Sequence, residues 1–189
     1  SMNINGKERN KKIDDAYLLL GKSRYYTERF IPAIDAYNYI IANYPNASLI
    51  NETKIWRAKA HIRIENEELA IETLEILLRK PDLPDFIRED ANTALAMAYT
   101  KLDSINTVRN YLWEATKTSK NKTQRARNLF VLGQLYGLDK IKDTASIVFN
   151  KLINFKKAPY KYKIYAAIEL AKNSVSDSSS LALLKQYRK

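Results

Sequence analysis

The sequence predicts an all-α chain, a right-handed α-solenoid of about five helical hairpins. Three observations predict it. A small residue recurs at Gly21, Ala58, Ala96, Gly133 and Ala171, with spacings of 37, 38, 37 and 38. Twelve residues after each comes a second marker (Ala33, Ala70, Val108, Ala145, Leu183), and four after that a large side chain (Tyr37, Leu74, Leu112, Phe149, Tyr187). Four glycines in 189 residues are also too few for a sandwich or barrel, which turns roughly every 8–12 residues. The physical reading is of paired helices touching at small residues, with the large residue filling the space to the next hairpin. One hairpin cannot bury its apolar stripe alone, so a stacked neighbour supplies the core.

Each element follows from this register. Residues 1–12 are expected to be a disordered or tag-derived lead, Ser1 before Met2 reading as a cleavage scar. Hairpin one (about 13–46) places its first helix at 13–27 and its second at 31–43, with Pro32 tolerated in a first turn. Hairpin two (47–83) places helices at 48–64 and 67–79. The Lys80-Pro81-Asp82-Leu83-Pro84 stretch then breaks the chain, and Asp85 is expected to cap a helix at 86–101. Hairpin three (84–120) continues with 105–118. Hairpin four (121–157) gives 122–137 and 141–154, and hairpin five (158–189) gives 159–174 and 179–189. The last helix keeps an apolar stripe (Leu181, Leu184, Tyr187), which reads as part of a longer array.

Composition narrows the function. No cysteine means no disulfide framework, thiol nucleophile or thiolate metal site. No apolar stretch is long enough to span a bilayer. Charge is unevenly placed: residues 1–95 hold 14 Lys and Arg against 15 Asp and Glu, and residues 96–189 hold 18 against 6. An electrostatic partner is therefore sought in the second half. His61, the single histidine, stands where Tyr99 and Tyr136 stand in other hairpins, a packing position rather than a metal or base site. Glu65, Glu67, Glu68, Glu72 and Glu75 fall on a turn and at helical spacings that solvate a surface. No glycine-rich phosphate loop and no nucleophile–base set occurs, so the chain is expected not to be an enzyme and to need no cofactor or metal. The sequons at Asn46, Asn51 and Asn121 are short enough to occur by chance; Asp103-Ser104-Ile105 and Asp143-Thr144-Ala145 fit the O-glycosylation signal of some periplasmic proteins but are better read as turn and first-helical-turn residues.

The register resembles the tetratricopeptide repeat (TPR): Leu then a small residue, an aromatic three later, Ala twelve after the small residue, an aromatic four further and a closing proline. Hairpin one matches with Leu20-Gly21, Ala33, Tyr37 and Pro45, departing at Arg24; hairpin four matches with Leu132-Gly133, Tyr136, Ala145 and Phe149, departing at Lys157. Arg57 departs from the leucine kept at Leu20, Leu95, Leu132 and Leu170. The resemblance covers about residues 14–189 and implies a concave wall built by the first helices of the hairpins. Transferred here, that wall holds Leu18, Lys22, Tyr25 and Tyr26; Ile55, Lys59, Ile62 and Arg63; Thr93, Met97, Thr100 and Lys101; Arg127, Phe130, Gln134 and Leu138; and Tyr165, Ile168 and Lys172. Its mixture of apolar surface and cations suits a protein or peptide segment with apolar anchors and acidic neighbours.

A second candidate surface is basic: Lys117, Lys120, Lys122, Arg125 and Arg127, then Lys151, Lys156, Lys157, Lys161 and Lys163, with Tyr160, Tyr162 and Tyr165 interleaved. It keeps RNA or another anionic polymer open as the alternative partner. The wording of the first hairpins (Asp14-Asp15-Ala16-Tyr17, Tyr39-Ile40-Ile41-Ala42-Asn43-Tyr44-Pro45, Ile55-Trp56-Arg57-Ala58) is similar to the N-terminal TPR region of PorW/SprE lipoproteins of type IX secretion and gliding motility. That resemblance implies a non-catalytic scaffold for a membrane-associated machinery. It also implies a periplasmic location through a lipid anchor outside this sequence, with the cytoplasm as the alternative.

Overall fold

Helical periodicity carries through to the computed structural model, which describes residues 3–4, 7–8, 12–117 and 121–173. The chain divides into two compact units, Ser1–Leu83 and Pro84–Lys189, at the proline-flanked connector between hairpins two and three. The first unit opens with β1 (Asn3–Ile4) pairing antiparallel with β2 (Lys7–Glu8), a two-residue ribbon that helical spacing does not foretell. It continues with α1 (Ile13–Tyr26), α2 (Phe30–Asn43), α3 (Ile50–Arg63) and α4 (Glu67–Leu78). The second unit contains α5 (Asp85–Lys101), α6 (Ile105–Ala115), α7 (Lys122–Leu138), α8 (Lys142–Ile153) and α9 (Tyr160–Asn173). The helix expected at 179–189 lies outside the described residues.

Consecutive helices pack on one another within each unit, and α1 also touches α3 as α7 touches α9. The first core joins Leu18, Ala33, Ile34, Tyr37, Ile40 and Ala60. The second joins Ala96, Val108, Leu112, Leu129, Leu132, Val148, Phe149 and Leu152, among others. Gly21, Ala58, Ala96 and Gly133 are all buried, as the register requires.

The reason for the small residue differs from a simple backbone approach. A Cβ on Gly21 would come within 2.3 Å of the Tyr37 ring, and one on Gly133 within 2.5 Å of the Phe149 ring. The large residue therefore lies across its own hairpin's small residue as well as reaching the next hairpin. In the sequence glycine accompanies an aromatic ring in hairpins one and four and alanine accompanies leucine (Ala58 with Leu74, Ala96 with Leu112) in hairpins two and three, while hairpin five departs with Ala171 and Tyr187.

A second periodicity appears in the turns. Glu28, Glu65, Asp103 and Lys140 all have φ between 52° and 60°, and each lies seven residues after its hairpin's small residue. Around them the chain makes the six-to-one bond of a Schellman motif: Arg29 N–H to Arg24 O (2.8 Å), Asn66 to His61 (3.0 Å), Ser104 to Tyr99 (3.0 Å) and Ile141 to Tyr136 (2.9 Å). Non-glycine residues hold the left-handed position in all four.

Helix starts depart from expectation at α5. Asp85 is its first residue, Pro84 occupies the cap, and no side chain caps it. Proline fixes the extended backbone that a cap needs, which leaves Asp85 to favour the helix as a first-turn anion. Asn121 does cap α7, its Oδ1 accepting from the Gln124 N–H at 3.1 Å. Inside the second unit, buried Asn128 donates to Thr93 Oγ1 (2.9 Å) and accepts from Gln124 (2.9 Å), tying α7 to α5. Arg109, nearly buried, pairs with Asp139 at 2.6 Å and lies over the Tyr136 ring.

Candidate partner-binding site

Counting from the small residue of each hairpin, the structure sorts the expected wall into covered and open positions. Three residues before it, Leu18, Ile55 and Thr93 are buried, and Phe130 and Ile168 are half-buried. Ile62, four after Ala58, is 2% exposed. Leu18, Ile55, Ile62 and Thr93 are therefore packed inside, while Phe130 and Ile168 keep part of their surface in water. The first helix of a hairpin is covered on one side by its own second helix and on the other by a neighbouring hairpin, so α3 meets α2, α4 and α1. The position five after the small residue is exposed in all four described hairpins; the position one after it is exposed at Met97, Gln134 and Lys172 and half-buried at Lys22 and Lys59, and Thr100, Arg127 and Tyr165 are exposed as well.

In the first unit the positions one, four and five after the small residue converge on Trp56 and Phe30. Tyr25 and Tyr26 meet its ring edge-on at 5.3 and 5.6 Å, and Tyr25 also meets Phe30 at 5.6 Å. Lys59 Nζ stands 4.7 Å and Lys22 Nζ 5.4 Å over the indole, while the Arg63 guanidinium lies 4.6 Å over Phe30. Lys22 is paired with Glu52 (2.6 Å) and Arg63 with Glu28 (3.6 Å). Burial pushes the Tyr25 hydroxyl above its ordinary value, with Arg63 pulling the other way. Lys22, Tyr25, Tyr26, Lys59 and Arg63 are thus brought together, around two rings, Trp56 and Phe30, that the wall positions alone did not include. Trp56 stands two residues before Ala58, a register position that could have flagged it.

In the second unit Phe130 joins Phe149, Tyr162 and Tyr165, with centroids 6.1, 6.3 and 5.8 Å away. Beside this cluster a cavity of about 400 Å³ opens between α7 and α9, lined by Val131, Gly133, Gln134, Leu135, Gly137, Leu138, Phe149, Glu169 and Lys172. Met97 and Lys101 are exposed on α5 and Arg127 is exposed near the start of α7; none of the three lines that cavity.

The basic residues are more engaged than a solvated edge would be. Arg125 lies 4.8 Å over Phe155 with its Nε buried, Lys151 stands 4.6 Å over Trp113, and Lys161 stands 5.2 Å over Tyr162. Lys117 pairs with Glu114, Lys163 is half-buried, and Lys122, Lys156 and Lys157 are exposed. Lys120 lies outside the described residues. A smaller cavity of about 170 Å³ beside α3 and α4 is lined by Lys54, Arg57, Thr73, Ile76, Leu77 and Lys80.

His61 is half-buried, with Nδ1 enclosed and without a protein partner; burial, helped by Arg57, pushes it below the usual histidine value. Among the described residues no cluster of His, Asp or Glu could hold a metal ion, and no helix is long and apolar enough to cross a membrane.

Several solved structures share this architecture. The chain matches MamA with a TM-score of 0.63 and 19% identity, over 94% of this chain and 91% of that one. A Podospora anserina kinesin light chain with nearly identical TPR-like repeats matches at 0.71 and 14%, over 96% of both chains. A thermophilic TPR protein of Thermus thermophilus matches at 0.60 and 15%, over 93% and 91%. The fold is therefore that of TPR proteins, an all-α solenoid of helical hairpins. No family model and no curated protein matches the sequence.

Proposed function

We propose that this protein is a non-catalytic interaction scaffold that holds segments of partner proteins on the open faces of its first-in-hairpin helices. One observation carries the reading. The position five after the small residue is exposed in all four described hairpins (Tyr26, Arg63, Lys101, Leu138), and at two of them it is a large apolar side chain, 72% exposed at Tyr26 and 77% at Leu138. Apolar surface that recurs in register and stays in water is the mark of a face awaiting a partner. The fold supports the same reading, since stacked hairpins present such faces repeatedly. The likeness of hairpins one and two to PorW/SprE extends the proposal to a membrane-associated secretion machinery as the source of the partner, with the scaffold held at the periplasmic side by a lipid.

The test is a triple replacement, Tyr26→Ser, Arg63→Ser and Lys101→Ser, used as bait against an extract of the source cell. Unchanged helicity with loss of the partners that the parent captures is the expected result. A folded triple variant that captures all of them equally well would overturn the proposal.

A further inference from the structure

The α7/α9 cavity and the Trp56 cluster are the same place in the repeat. Aligned on their small residues, Gly133 stands where Gly21 does, Gly137 where Tyr25 does, and Leu138 where Tyr26 does. On the following hairpin, Glu169 stands where Trp56 does and Lys172 where Lys59 does. In the first unit this space is filled from within by the Tyr25 and Trp56 rings, with Lys59 Nζ 4.7 Å over the indole. In the second unit both ring positions carry other residues, and the cavity of about 400 Å³ results. It reaches the helix backbone: a Cβ on Gly137 would meet nothing within 4 Å.

We propose that this cavity takes an aromatic side chain, an indole or a phenol, from a segment of a partner protein. Resting on the scaffold reading above, the proposal names the anchor that one of those faces accepts. The ring that the first unit supplies to itself is supplied here by the partner. Val131 and Leu135 give it an apolar seat, Leu138 a rim, and Lys172 the cation that its counterpart Lys59 presents to Trp56. Glu169, which pairs with Lys172 at 2.9 Å, adds a carboxylate acceptor for an indole N–H or phenol O–H. An aromatic ring with a polar tip meets both kinds of lining, whereas an aliphatic side chain offers the carboxylate no donor and the ammonium no ring face. The volume falls within the range of about 300–1,000 Å³ usual for ligand pockets.

The experiment is an amide NMR titration of the full chain with N-acetyl-tryptophanamide and, separately, N-acetyl-leucinamide. The expected result is saturable shifts at Gly133, Gly137, Leu138 and Lys172, at least fivefold tighter for the tryptophan probe. Gly137→Phe, which fills the cavity from inside, is expected to abolish them while keeping the parent's helicity; Gly137→Ala, a smaller change, is expected to weaken them. Equal response to both probes, or a tryptophan response untouched by Gly137→Phe, would overturn the proposal. So would binding that appears only after Tyr187→Ala, which would assign the cavity to this chain's own C-terminal segment, or the same shifts on concentrating the protein alone, which would assign it to a second copy. If Gly137→Phe captures every partner that the parent does while the Tyr26, Arg63 and Lys101 variant loses them, the scaffold reading stands and this pocket assignment falls.

Discussion

Gly133 and Phe149 form one steric unit, and so do Gly21 and Tyr37. Alanine at position 133 gains about 1 kcal/mol of helix propensity. That gain is outweighed by overpacking a fully buried ring, which costs about 1–3 kcal/mol. Gly133→Ala is therefore expected to lower stability, and Phe149→Leu in the same chain to recover part of the loss, because alanine over leucine is the pairing that hairpins two and three already use. Denaturant melts of both single variants and the double variant test this; strictly additive effects would refute the steric link. Histidine chemistry gives a second prediction at this scale. His61 has its value lowered below the ordinary 6.5 by burial and by Arg57, so the folded chain binds the proton less well than the unfolded one. Its contribution is full above about pH 6.5 and is lost as pH falls from there through the lowered folded value. Melting temperature should fall over that window, and His61→Tyr, the residue found at the matching positions 99 and 136, should flatten the slope. A slope that His61→Tyr leaves unchanged would place its origin elsewhere.

At the scale of the helical element, each hairpin closes through the same left-handed residue, and none of the four is glycine. The left-handed conformation costs a residue with a Cβ about 1–2 kcal/mol, whereas glycine adopts it freely. Glycine also loosens the unfolded chain by about 0.4–1 kcal/mol. Glu65→Gly and Lys140→Gly are accordingly expected to stabilise by up to about 1 kcal/mol each, seen as a higher denaturant midpoint with an unchanged slope. A fall in the midpoint for both would mean that the side chains contribute more than the strain. The same scale explains why hairpins were easy to delimit and caps were not. Periodic apolar residues bracket α1 through α9 to within a few residues, but at α5 two neighbours compete for the cap, and the ring-fixed backbone of Pro84 takes it from the Asp85 side chain.

For the whole molecule, 32 Lys and Arg against 21 Asp and Glu give a net charge of +11, of which the unit from Pro84 onward carries +10. That imbalance is visible in composition, yet composition does not say which cations are free. Arg125, Lys151 and Lys161 are committed to Phe155, Trp113 and Tyr162 through contacts between residues from 1 to 38 apart in sequence. The candidate site divides in the same way. The first helices were identifiable as its source because a helical repeat places corresponding side chains on corresponding faces. Which of those faces stayed open was not, since Leu18, Ile55, Ile62 and Thr93 have the same spacing as residues that remain in water.

By itself, then, the sequence determined the all-α class, the hairpin count through residue 173, the register and the small-residue positions, because these follow from local periodicity of 3.6 residues and a repeat of 37 or 38. Only the folded arrangement decided which wall residues are covered, that Trp56 gathers two lysines and two tyrosines, and that Gly137 and Glu169 leave a cavity where the first unit has rings. Burial and cavity volume depend on which side chains from separate helices share one space, and a linear pattern carries no measure of that sharing.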